Sequence, residues 1–278
     1  MSYRKIRLFL TNGVFSRIFT QFVVMIITDI AIILHGRKFS DTSKIIHVYT
    51  KEHGKVSVIA KGVRSAKHTM GSALEALRCS SITWYKYPNK DLHLLKSAEI
   101  SIPLHHLTSE YEILMSAMGI LEIVSSTQEM EESHPEVFEL ALQALMTLNQ
   151  KDVIHVPYLI TLQFMFNLAH LMGFGMHVSH CPITGDVIDP SKETTLFSFS
   201  HGGCVSDDVM QVGGEHISLH SSALKILQMM SDSTFNSMQM ECSMQDQITL
   251  LDLFQRYFSY HSHKTFRWNT YPPGISTQ

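Results

Sequence analysis

The sequence predicts an α+β protein: a five-stranded β-barrel over residues 25–102, followed by an all-α helical domain over 103–260. Three observations predict it. Apolar, β-branched runs of strand length recur between Met25 and Ile102, separated by turn residues. After Pro103 the apolar spacing becomes helical. The charge divides at the same place: within a net charge of −3, residues 1–24 carry +4, residues 25–102 carry +6 and residues 103–278 carry −13. At 45% hydrophobic and 17% charged residues, the 278-residue chain can fill a core, which excludes a disordered or low-complexity protein.

Residues 1–24 hold Arg4, Lys5, Arg7 and Arg17, no acid, and apolar residues such as Phe9, Leu10, Phe15 and Phe22. No run there approaches the roughly 18 apolar residues of a membrane-spanning helix, and no small-residue cleavage motif follows one. Met25 opens a clean strand pattern, so we expect it to be the true start and 1–24 to be an upstream extension or a poorly ordered arm. A helix lying on a membrane surface is the alternative.

The five strands are expected at Ile26–Leu34, Ile45–Tyr49, Lys55–Val58, Ile82–Tyr87 and Leu92–Ile100. Turn signals lie at Glu52-His53-Gly54 and Pro88-Asn89-Lys90-Asp91. The longer connection, Gly62–Arg78, is basic and ends in a helix-compatible patch, Ala73–Leu77. Five strands with a helical insertion before the fourth suit a Greek-key barrel of the OB type.

The polar positions of this segment are disproportionately basic: Arg37, Lys38, Lys44, Lys55, Lys61, Arg64, Lys67 and Lys86. Phe39, Tyr49, Trp84, Tyr85 and Tyr87 are interleaved with them. Cations beside ring faces suit a nucleic-acid strand, because the cations neutralise phosphates and the rings stack on bases without reading sequence. For Trp84, filling the barrel core is the stronger expectation. Those eight basic residues are the candidate DNA-binding set.

Three blocks, Gly36–Lys44, Tyr49–Lys55 and Val58–Arg64, resemble in order and spacing the RecO family of bacterial DNA repair proteins. Gly71–Glu75 and the strand ending in Ala98-Glu99 extend the likeness, which covers roughly residues 26–260 and is looser in the second half. The resemblance implies an OB-fold that binds single- and double-stranded DNA, joined to a helical domain. It further implies annealing of complementary strands and, together with RecR, loading of RecA onto strands coated by single-strand-binding protein. The C-terminal tail of that protein is an implied partner, and a cytoplasmic, nucleoid-associated location is implied.

In the second half, helices are expected from Tyr111 through Leu114, Met118, Leu121 and Val124, with Ser109 as cap. A second starts at Pro135, and a third, apolar nearly all round, spans Val156–Met172. Two more are expected at Ser222–Met230 and Ile248–Tyr260, followed by a frayed tail over 261–278. The 16 methionines suit core filling better than an adaptable partner groove.

An inserted loop is expected at about 177–215. Many RecO relatives carry two Cys-x-x-Cys pairs there that bind a structural zinc. Here Thr184 stands where the second Cys of the first pair would be, and Cys204 is the one Cys of the second region. A tetrahedral zinc needs four N or S ligands, so the set is incomplete. Cys181 and Cys204 are the candidate ligands, with His177, His180 or His201 as completions, and the expectation is no bound cofactor.

The chain has no Gly-x-x-x-x-Gly-Lys-[Ser/Thr], no Gly-x-Ser-x-Gly and no His-Glu-x-x-His. No catalysis is therefore expected, and the first reading is the DNA-binding and annealing accessory protein that the resemblance implies. The competing readings are a metal-dependent hydrolase built on the 177–204 region and an adaptor whose barrel binds acidic proteins.

Overall fold

The computed structural model describes residues 24–64, 70–150, 157–209, 213–232, 235 and 242–268. Strands β1 (Met25–Lys38), β2 (Lys44–Thr50), β3 (Gly54–Ala60), β4 (Cys79–Lys86) and β5 (Leu92–Ile102) close into a barrel in the order β1-β2-β3-β5-β4. The β3–β5 pair is parallel and the other pairs are antiparallel. This is the OB-like arrangement the sequence predicts. Alternate residues fill the interior: Ala31, Ile33, Ile46, Val48, Val56, Val58, Ile82 and Trp84. Between β3 and β4 there is a 3₁₀ turn, Ser72–Leu74, where a longer patch of helix was expected.

The run Ala31–Leu34 is apolar without a break because β1 is buried on both faces there. Ala31 and Ile33 point into the barrel, while Ile32 and Leu34 join the core of the helical domain. A register shift between Ile33 and His35 then turns the strand away from that contact.

Helices α1 (Tyr111–Thr127), α2 (Pro135–Leu148) and α3 (Pro157–Leu171) form the first part of the second half. The expected stripe on α1 is partly wrong. Tyr111 and Met118 are exposed, and the buried face is Ile113, Ala117, Ile120, Leu121 and Val124. Ser109 does not cap α1: its hydroxyl donates to His106 O, and Glu110 holds the cap position. Helix α3 is buried nearly all round, as its composition requires, and Gly173 with φ 86° follows it.

The expected loop at 177–215 contains regular structure. Strands β6 (Thr194–Ser198) and β7 (Gly203–Val205) pair with β8 (His216–His220), just beyond it, in a small antiparallel sheet. Helices α4 (Ser221–Asp232) and α5 (Met244–Ser262) complete the domain. Helix α5 starts earlier than expected because Ser243 Oγ accepts a hydrogen bond from Asp246 N. The tail is not frayed as far as residue 268. Phe266 and Trp268 stack on each other and meet Phe258 edge to face, and Trp268 Nε1 donates to Ser126 Oγ at 2.8 Å. Residues 1–23, 269–278 and Lys67 lie outside the described residues.

Candidate nucleic-acid interface

Strand register sorts the basic residues into two groups. Lys38 lies opposite Lys44, Arg37 opposite Ile45, and Lys44 opposite Ala60, so Lys61 emerges beside Lys44. Arg64 N donates to Thr42 O at 3.1 Å, and its guanidinium donates to Ser40 O and Asp41 O at 3.0 and 2.9 Å. Arg37, Lys38, Lys44, Lys61 and Arg64 therefore gather at one end of the barrel, around the β1–β2 hairpin. Phe39 stands at that hairpin with 58% of its surface exposed. Like charges directly opposite each other on a ladder are destabilising, and Lys38 and Lys44 are such a pair.

A second feature adjoins this end, and sequence reasoning missed it. His35 and His47 meet across the β1–β2 ladder with centroids 4.4 Å apart and rings tilted by 32°, and His47 Nδ1 lies 2.9 Å from Ser57 Oγ. Burial, then the charges of Lys55 and Arg37, hold the His35 imidazole below its ordinary value. Burial and the same neighbours, with His35 among them, do so for His47. The signal in the sequence was the matching outward register of two histidines on adjacent strands.

Two of the expected DNA ligands sit at the opposite end and are engaged otherwise. Lys55 Nζ donates to Ser125 O at 2.6 Å, and Lys55 O accepts from Glu131 N at 2.8 Å. Burial pushes the Lys55 ammonium below its ordinary value. Lys86 Nζ donates to Glu131 Oε2 at 2.5 Å, while Glu131 Oε1 lies 2.7 Å from Nε2 of the buried His93. Lys51, on the same side, pairs with Glu139 of α2 at 2.6 Å. These lysines fasten the barrel to the loop 128–134 and to the helices on either side of it. The physical reason is proximity: each finds a carboxylate or carbonyl of the acidic half within hydrogen-bond reach.

The aromatic set divides similarly. Trp84 is enclosed in the barrel. Tyr49 is enclosed between the domains, donating to Gln128 Oε1 at 3.2 Å and to His134 O at 3.3 Å. Neither offers a face to a base. Phe39, Tyr85 and Tyr87 keep exposed surface, and Lys90 lies 5.1 Å over the Tyr87 ring.

Glu131 gives a test of the interdomain contact. Burial alone would raise its carboxyl, but hydrogen bonds from Lys86 and His93 outweigh it and hold the carboxyl below its ordinary value. Its contribution is present above the ordinary carboxylate range and is lost as pH falls through the depressed value. Glu131→Ala is expected to lose about 1–2 kcal/mol, moderated by solvent reaching the carboxylate. Urea unfolding at neutral pH should show that loss, and the difference from wild type should shrink in acid.

An open cleft of about 1020 Å³ lies in the helical domain, between α2, α3, α5 and the β6–β7 turn. Glu136, Glu139, His170, His201 and His261 line it, and none of the residues lining it is Lys or Arg.

Among the described residues, the side chains named as candidate metal ligands form no group of three or more. Cys204 lies on β7 with its side chain in the core, and burial pushes its thiol up to about 12. Among the described residues, no three His, Cys, Asp or Glu side chains are grouped to hold an ion. Cys181 lies instead beside Thr184 and Ser206, whose hydroxyls are not zinc ligands.

Comparison with known proteins matches the two halves of the fold separately. Residues 25–103 match the family Recombination protein O N terminal, and residues 108–268 match Recombination protein O C terminal. The chain belongs to the RecO family. It is similar to the DNA repair protein RecO of Chloroherpeton thalassium, 26% identical over 243 residues, covering 83% of this chain and 91% of the relative. It is also similar to that of Prosthecochloris aestuarii, 28% identical over 185 residues, covering 64% and 69%. A third, from Actinobacillus pleuropneumoniae serotype 5b, is 29% identical over 160 residues, covering 57% and 64%. Membership places the protein in DNA repair and recombination. Among the described residues, no helix of this RecO family member is long and apolar enough to cross a membrane.

Proposed function

We propose that this RecO family protein binds single- and double-stranded DNA through the cationic end of its barrel and anneals complementary strands. The observation that carries this is the convergence of Arg37, Lys38, Lys44, Lys61 and Arg64 around one hairpin, with exposed Phe39 among them. Cations there hold one strand by its phosphates and leave base edges free for pairing. The −13 segment repels a second phosphate chain from the helical side, so the strand is confined to the barrel. The protein acts by holding and recruiting rather than by making bonds, in a cytoplasmic, nucleoid-associated setting.

The helical domain is the docking half. With RecR it assists RecA in replacing single-strand-binding protein. The acidic C-terminal tail of that protein is a partner of this domain. The test is annealing of complementary oligonucleotides, bare and coated. At low salt the protein is expected to speed pairing at least several-fold, and the acceleration should fade as salt rises. Folded protein that leaves the rate unchanged at every salt concentration would sink the reading. A barrel that instead retained acidic proteins and ignored DNA in the same buffer would favour the adaptor.

A further inference from the structure

Residues 181–184 and 206–209 are two short turns set face to face. Gly185 N donates to Cys181 O at 2.9 Å, and Val209 N donates to Ser206 O at 3.1 Å. Cys181 N is tied to Asp186 O at 2.8 Å. The turns are joined at their centre, where Thr184 Oγ1 and Ser206 Oγ lie 3.2 Å apart. Cys181 sits beside that link and is 2% exposed. It accepts hydrogen bonds from the Thr184 hydroxyl and from the backbone at Thr184, Ser206 and Ile183.

This is the backbone plan of a two-turn zinc knuckle, in which the first and fourth residues of each turn converge on one ion. The residues at the corresponding turn positions here are Cys181, Thr184, Ser206 and Val209. Cys204, which the sequence suggests as the partner of Cys181, lies on β7 before the second turn begins, with its side chain in the core. In a tetrahedral thiolate set with Zn–S bonds of about 2.3 Å, ligand atoms lie about 3.8 Å apart. The hydroxyl separation is shorter than that edge, which suits a direct hydrogen bond and not a pair of ligands around an ion. Val209 is partly buried and packs on the hydrophobic core. One thiol, two hydroxyls and an isopropyl group do not hold zinc.

We propose that these turns form a metal-free knuckle, in which hydrogen bonds among Cys181, Thr184 and Ser206, with the packing of Val209, make the cross-link that an ion would make. The geometric core of that cross-link is the hydroxyl pair of Thr184 and Ser206, with the buried Cys181 beside it. The knuckle fixes the start of the segment that carries β6 and β7, and through Phe197 and Phe199 it supports the packing on Tyr257.

The test uses the full chain. Wild-type protein purified without chelator is expected to hold far less than one zinc per chain and to keep its Tm when a strong chelator is added. T184C/S206C/V209C is expected to take up one zinc or cobalt per chain, with thiolate-to-cobalt absorption and a raised Tm. Stoichiometric zinc in the wild type, with a Tm that falls on chelation, would overturn the proposal. So would a folded triple variant that takes up neither metal. Should the triple variant fail to fold, T184V decides: a Tm lowered by a few degrees at unchanged metal content supports the cross-link, and an unchanged Tm refutes it.

Discussion

Replacing Arg37, Lys38, Lys44 and Lys61 together by Gln is expected to weaken single-strand binding at low salt by about two orders of magnitude. The plot of log affinity against log salt should also flatten, by about 0.7 for each phosphate contact removed, or about 3 for all four. Arg64 is left in place because its guanidinium braces the β1–β2 hairpin through Ser40 O and Asp41 O. The four chosen side chains have no ion-pair partner among the described residues, so their loss leaves no carboxylate stranded. The fold should survive, and removing the Lys38–Lys44 repulsion should slightly favour it. Lys86→Gln is the control. It should lower stability through Glu131 while leaving the salt slope alone. A folded quadruple variant with the wild-type slope would place the DNA elsewhere.

Gly54→Ala is expected to destabilise the whole chain by about 3 kcal/mol or more. Two causes add. Gly54 has φ 64°, a conformation that costs any residue with a Cβ roughly 1–2 kcal/mol. A methyl group there would also overlap the Glu132 backbone, which cannot retreat. Neighbouring contacts hold that backbone: Glu131 N donates to Lys55 O, and Ser133 Oγ donates to Lys51 O. The loss should appear as a lower urea midpoint and Tm, with the two domains loosened from each other. Equal stability of the alanine variant would mean that the barrel and the 128–134 loop do not meet this closely.

Gly54 shows how far the residues alone can be read. A glycine between two alternating runs announces a hairpin, because turn conformation is local. That the same glycine admits the Glu132 carbonyl depends on a segment about 80 residues away, and nothing local reports it. Helix α1 makes the same point at smaller scale. Its apolar residues cover more than one face, and only contact with α2, α3 and the barrel selects Ile113 and Ala117 over Tyr111 and Met118. The short sheet of β6–β8 was missed because its strands are too brief, at five, three and five residues, to show a period. The ordered tail was missed because Trp268 finds its partner on α1.

The sequence by itself determined the strand periods, the change to helical spacing at Pro103, the charge division and the likeness to RecO. Each of these is carried by neighbouring residues or by ordered blocks of them. Only the tertiary structure decided which cations stay free. Lys38, Lys44 and Lys61 end up beside one another at the hairpin, whereas Lys55 and Lys86 meet Ser125 and Glu131. A lysine's charge is fixed by its chemistry, but its partner is fixed by whichever acceptor folding brings within about 3 Å.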